Sequence, residues 1–140
     1  MHPNEWKQSG KIYLWRYESN PRNYRGWHLN CDETGCDSLT SLISSFSELE
    51  ESERRTVLLS KPTSHQLAVP GCNQKALSDE RLVIGNSDQW ALRSESGKTY
   101  LNICQDHIPK MIQGISEIKV GKGDRFIGKQ GNEIWFWWDV

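Results

Sequence analysis

His28, Cys31 and Cys36 form the first group in this sequence with side chains able to do chemistry together. Two residues separate His28 from Cys31, and four separate Cys31 from Cys36. His65, Cys72, Cys104 or His107 can supply a fourth ligand. Zinc accepts such a tetrahedral set. Structural zinc sites draw on two tight pairs, however, and here one loose pair stands without a second. The reading is therefore no metal and no cofactor: His28 is a strand residue, and the four cysteines are free thiols packed as small apolar groups.

Cys36 is also the candidate for thiol catalysis, since it falls in the first turn of a helix, where the helix dipole favours a thiolate. His28 or His107 would have to reach it through the fold to act as its base. Asp32, Glu33 and Asp37 surround it and oppose thiolate formation. No Gly-x-Ser-x-Gly elbow is present, so serine hydrolysis has no local signature. The run Gly121 to Gly131 carries Lys122, Arg125 and Lys129, candidate anion contacts on its rim. It leaves a helix and enters a hairpin, whereas phosphate loops run from strand into helix; its glycines read as a helix stop and hairpin turns.

The tryptophans are the strongest compositional signal. There are seven: Trp6, Trp15, Trp27, Trp90, Trp135, Trp137 and Trp138. In the strand Ile134 to Trp138, alternation puts Trp135 and Trp137 on one face and Ile134, Phe136 and Trp138 on the other. A sheet wet on one side buries only one of these sets. Either the strand is covered on both faces, or one set is a platform for a protein partner, a sugar or a base. The predicted binding residues are Trp135, Trp137, Trp15 and Trp27.

These residues need elements to position them. Lys11 to Tyr17 reads as a strand, with Ile12 and Leu14 on one face and Tyr13, Trp15 and Tyr17 on the other. Trp27 to Asn30 is its hairpin partner. Leu39, Leu42, Ile43, Phe46 and Leu49 then recur at helical spacing, with Asp32 or Thr34 as N-cap. If that helix continues, Glu50 pairs with Arg54 and Glu51 with Arg55. Thr56 to Ser60 is a strand. Arg81 to Ile84, Gln89 to Arg93 and Lys98 to Cys104 read as a meander with turns at Gly85 to Asp88 and Ser94 to Gly97. Asp106 caps a second helix, with Pro109 in its first turn and Met111, Ile112, Ile115 and Ile118 on its apolar face. A last hairpin turns about Gly131-Asn132. The expectation is an α+β fold, a mostly antiparallel sheet of about seven or eight strands with two helices packed on it. Residues 1–10 are read as a flexible tail and 11–140 as one globular domain.

The chain has 140 residues and a net charge of −1, which disfavours a nucleic-acid binder held by a broad basic surface. Asp32 to Glu53 holds seven acids and no Lys or Arg, an acidic surface suited to a basic partner. No apolar run spans a bilayer, and Met1 to Trp6 has no apolar stretch of signal-peptide type, so a cytoplasmic, non-membrane protein is expected. The leading function expected is a small non-enzymatic binding or accessory protein, of inhibitor or immunity type, acting on another protein or as a homodimer. The alternatives are a ligand-binding domain or enzyme with a Trp-lined pocket, using Asp124, Glu33 or His28 as its polar group, and a single-stranded nucleic-acid binder.

Overall fold

The apolar alternation along Ile12–Tyr17 builds two cores rather than one, and the whole fold follows from this. The computed structural model describes residues 1–18, 24–72, 75–121, 125–128 and 131–138. In chain order the elements are β1 (Ile12–Tyr17), β2 (Trp27–Cys31), α1 (Glu33–Ser45), β3 (Arg54–Leu58), α2 (Ser64–Ala68), β4 (Ala76–Leu77), β5 (Arg81–Asn86), β6 (Ala91–Glu95), β7 (Lys98–Ile103), α3 (Ile108–Lys119), β8 (Arg125–Ile127) and β9 (Ile134–Phe136). Short 3-10 turns at Pro3–Glu5 and Gln105–His107 complete the set. The strands form a five-stranded sheet, β4-β1-β2-β9-β8, and a four-stranded sheet, β3-β5-β7-β6.

The α+β class stands, but the single, mostly antiparallel sheet with two helices is corrected. Nine strands divide between two mixed sheets, and three α-helices are present among the described residues. Two ladders are parallel, β2 with β9 and β5 with β7. The expected meander fails for the same reason. β6 and β7 do form a hairpin over Ser96 and Gly97, both at positive φ as such a turn requires, but β5 skips β6 and pairs with β7.

α1 begins where Asp32 Oδ1 accepts from Gly35 N at 2.7 Å and from Lys11 N at 3.0 Å, so one carboxylate caps the helix and fixes the start of β1. The helix stops at Ser45 because Glu48 turns the backbone left-handed (φ 59°), and Gln105 grips the end, donating to Phe46 O at 2.8 Å and accepting from Glu48 N at 3.0 Å. The Glu50–Arg54 and Glu51–Arg55 pairs expected for a longer helix therefore do not exist; Arg54 and Arg55 open β3. Asp106 likewise lies inside the 3-10 turn, one residue before His107 at the N-cap of α3.

The first core is filled from α1, α3 and one face of each sheet, by Ile12, Leu29, Leu42, Ile84, Leu101, Ile115 and Phe136 among others. α3 lies so close on β9 that a Cβ on Gly114 would sit 2.7–2.8 Å from three ring atoms of Phe136, which is why a helix interior tolerates glycine here. The second core covers the other face of the five-stranded sheet: Tyr13, Trp15, Tyr17 and Trp137, overlaid by Leu67 and Val69 from the α2 segment and by Tyr24, Cys72 and Ala76. The aromatic strand is thus covered on both faces. Trp138 departs from its expected side: β9 ends at Phe136, alternation lapses, and Trp138 packs edge-on to Trp137 at 5.8 Å.

Residues 1–10 lie against the domain at several points. Trp6 is buried, its indole donating to Ser38 O at 2.7 Å. Gln8 lies along the edge strand β3 as a surrogate neighbour, donating to Leu58 O and accepting from Leu58 N, both at 2.8 Å. This occupies backbone groups that an edge strand otherwise offers to other chains.

Candidate functional site

Strand register, not spacing, decides what His28 does. His28 pairs with Trp15 across β1 and β2 and with Trp135 across β2 and β9. Its ring is stacked between Trp15 (5.7 Å, 20°) and Trp137 (6.0 Å, 19°), with Tyr17 edge-on at 5.0 Å. Nδ1 accepts from the Trp137 indole at 2.9 Å, so the neutral ring carries its proton on Nε2. Burial pulls the His28 pKa down to about 4, the Tyr24 backbone opposing this in part. Trp15 donates to the Tyr17 hydroxyl at 3.0 Å, and burial raises the Tyr17 pKa. Trp15, Tyr17 and Trp137 belong to the second core, and the His28 ring lies among them.

The predicted tryptophan site is therefore only half assembled. Trp15 and Trp137 are fully buried, Trp135 is half-buried with its indole donating to Arg25 O at 2.8 Å, and Trp27 faces the first core. Trp15 and Trp27 meet only at a cleft of about 170 Å³ beside Arg16 and Asp79, and Asp79 already accepts from Ser94 at 2.6 Å and Thr99 at 2.8 Å. An exposed platform built on Trp135, Trp137, Trp15 and Trp27 is absent among the described residues. Lys122, Asp124 and Lys129 lie outside the described residues, as does the side chain of Arg125, whose backbone forms β8.

The cysteine expectation is corrected too. Cys31 and Cys36 are joined in a buried disulfide, their Cα atoms 5.4 Å apart. The Asp32 cap turns the chain from β2 straight into α1, which brings the two residues within bridging range. Neither is left for zinc or for thiol catalysis. Cys72 and Cys104 are free and half-buried. Burial raises the Cys72 pKa, with a hydrogen bond to Tyr17 opposing it.

Cys104 is placed differently. β7 ends at Ile103, and the chain enters the 3-10 turn Gln105–His107, closed by His107 N donating to Cys104 O at 3.0 Å. In a 3-10 turn, side chains three apart eclipse. This brings Cys104 Sγ to 2.6 Å from His107 Nδ1, immediately ahead of the 12-residue helix α3. The Trp90 ring lies 5.0 Å from the His107 ring, tilted 31°, and its indole donates to Asn132 O at 2.8 Å. Gly128 makes room for that indole: a Cβ there would lie 2.8 Å from Trp90 Nε1. Asp88, Gln89, Trp90, Cys104, His107 and Asn132 together enclose a cleft of about 350 Å³. A second cleft of about 330 Å³, between the Leu49–Ser52 loop and Gln105, shares Asp88.

The Cys104–His107 pair was visible in the sequence as Cys-x-x-His between a strand and Pro109. Spacing alone assigns Cys104 as a spare zinc ligand and His107 as a zinc ligand or a base for Cys36, and does not join the two. Trp90 carried no local sign of its role.

One further cluster brings donor atoms together. His2, Glu51 and Glu53 place ligand atoms within 4.8 Å of one another. His2 Nδ1 accepts from Asn4 N at 3.1 Å, so the neutral ring presents an Nε2 proton to the two carboxylates, 3.4 and 3.6 Å away. One ring N–H set between two carboxylates accounts for the cluster without a cation. No helix among the described residues is long and apolar enough to cross a membrane. No protein-family model, no curated protein and no solved structure matches this chain.

Proposed function

We propose that this chain is a small-ligand-binding domain whose site is the Trp90–Cys104–His107 cleft. One observation carries the reading: a half-buried indole, a thiol and an imidazole converge on an open cleft of about 350 Å³, a size suited to a small molecule. The Trp90 face offers stacking, Gln89 offers its amide, and Asn132 offers its side-chain oxygen, its nitrogen donating to Gly131 O and Leu92 O. Asp88 in the wall and Glu50 in the adjoining cleft favour a neutral or cationic ligand. The cytoplasmic placement is kept in this reading on the two free thiols, Cys72 and Cys104, while the Cys31–Cys36 disulfide argues the other way. Titrating benzamide and nicotinamide fragments into isotope-labelled protein tests it. Shifts are expected at the Trp90 indole N–H, Gln89 and Asn132, and Trp90→Ala should abolish them. Fragments that shift only other resonances would remove the reading.

A second reading keeps a protein partner, here a second copy of the chain. Its observation is Phe126 on the edge strand β8, 51% exposed and 4.5 Å from the half-buried Trp135 ring. Under this reading a sizing column at micromolar concentration gives a dimer that Phe126→Ser returns to 16.2 kDa. A monomer at all concentrations would eliminate it.

A further inference from the structure

Building on the ligand-cleft reading, we propose that Cys104 is a nucleophile with His107 as its proton acceptor, and that the cleft takes acyl groups from neutral or cationic activated esters or thioesters. The pairing is built in rather than incidental. The 3-10 register fixes Sγ and Nδ1 at 2.6 Å, and Trp90 against the imidazole limits its rotation. The sulfur stands at the N-cap of the 3-10 turn, one turn ahead of α3. Both side chains are half-buried, so a substrate in the cleft can reach them. Asp88 in the wall disfavours anionic acyl donors.

The chemistry closes without any reactant besides water. The Cys104 thiol proton passes to His107 Nδ1 as sulfur forms a bond to the carbonyl carbon. The bond from that carbon to the leaving oxygen or sulfur breaks, and the leaving group takes the proton from Nδ1, giving S-acyl Cys104 and a free alcohol or thiol. Water then adds to the thioester carbon, giving its proton to Nδ1. The C–S bond breaks, the sulfur regains that proton, and a carboxylic acid is released.

The protein supplies its own control. Cys72 is also free and half-buried, but it sits in the aromatic cluster, where burial disfavours its thiolate. Full-length protein treated with p-nitrophenyl acetate near pH 7, with the acetyl group located by peptide mass spectrometry, should carry it on Cys104 roughly tenfold or more faster than on Cys72. His107→Gln should slow Cys104 by a similar factor or more and leave Cys72 unchanged. Equal rates at the two cysteines of the unmodified chain would overturn the proposal, and that comparison needs no variant to fold. So would a His107→Gln variant, folded by circular dichroism, that acylates at the original rate. If Cys104→Ser still binds fragments at Trp90 while Cys104 is inert, the nucleophile fails and the ligand cleft stands. If fragments bind elsewhere but Cys104 acylates through His107, the nucleophile stands and the ligand cleft fails.

Discussion

Replacing Trp137 with alanine is expected to remove roughly 3–5 kcal/mol of stability, the range for a large buried aromatic. A domain of ordinary stability, about 5–15 kcal/mol, would be brought close to unfolding by that loss. The size of the effect follows from position. Trp137 is 2% exposed and its ring meets Tyr24 at 5.0 Å, Trp138 at 5.8 Å, His28 at 6.0 Å and Trp135 at 6.4 Å. Its indole is the donor to His28 Nδ1, so truncation also strands a buried acceptor. The backbone N–H, which donates to Leu29 O at 3.1 Å, is unaffected by any substitution but proline. Trp137→Phe keeps most of the ring and loses the donor, so it should fall between, at about 1–3 kcal/mol. Urea unfolding of the three proteins reads this order directly. An alanine variant within about 1 kcal/mol of the parent would show that the second core contributes little to the fold.

Acid should destabilise the protein through His28. The histidine titrates near 6.5 in the unfolded chain and at about 4 when folded, because burial between two indoles disfavours the cation. Between those values the unfolded state binds a proton that the folded state refuses. The stabilising effect is therefore complete above pH 6.5 and is lost as pH falls to about 4, amounting to about 3 kcal/mol over that window. His28→Gln can still accept from the Trp137 indole and does not titrate. The difference in unfolding free energy between parent and variant should narrow or change sign by that amount from pH 7 to pH 4. Parallel pH curves for the two would mean that His28 titrates normally.

Much of the local structure was legible because it follows from covalent geometry. The two-residue period placed Ile12 and Leu14 opposite Tyr13, Trp15 and Tyr17, and the structure buries the two sets in separate cores. The helical stripe Leu39, Leu42, Ile43 and Phe46 is buried, and Asp32 is its cap. Errors gather where a distant residue overrides a local pattern. Gln105 helps end α1, 57 and 59 residues back along the chain, and Phe136 requires the glycine at 114. The parallel ladders escaped notice because short turns favour antiparallel neighbours, and neither β2–β9 nor β5–β7 joins consecutive strands.

The sequence by itself determined that the segment Ile134 to Trp138 joins a sheet as a strand with apolar residues on both sides, since bulk and alternation require it. It also contained Cys104 and His107 at the separation that a 3-10 turn closes. Only the tertiary structure decided that the strand is covered on both faces, because the cover comes from Leu67, Val69 and Tyr24, which no pattern near residue 135 announces. Only the fold could set Trp137 on His28, 109 residues away, and Trp90 on Asn132, 42 residues away. Those distances depend on strand register and hairpin placement, which result from the packing of the whole chain. The seven tryptophans that first suggested a binding platform are for the most part the material of a second core. Trp90, legible in the sequence only as a residue of a predicted strand, lines the cleft.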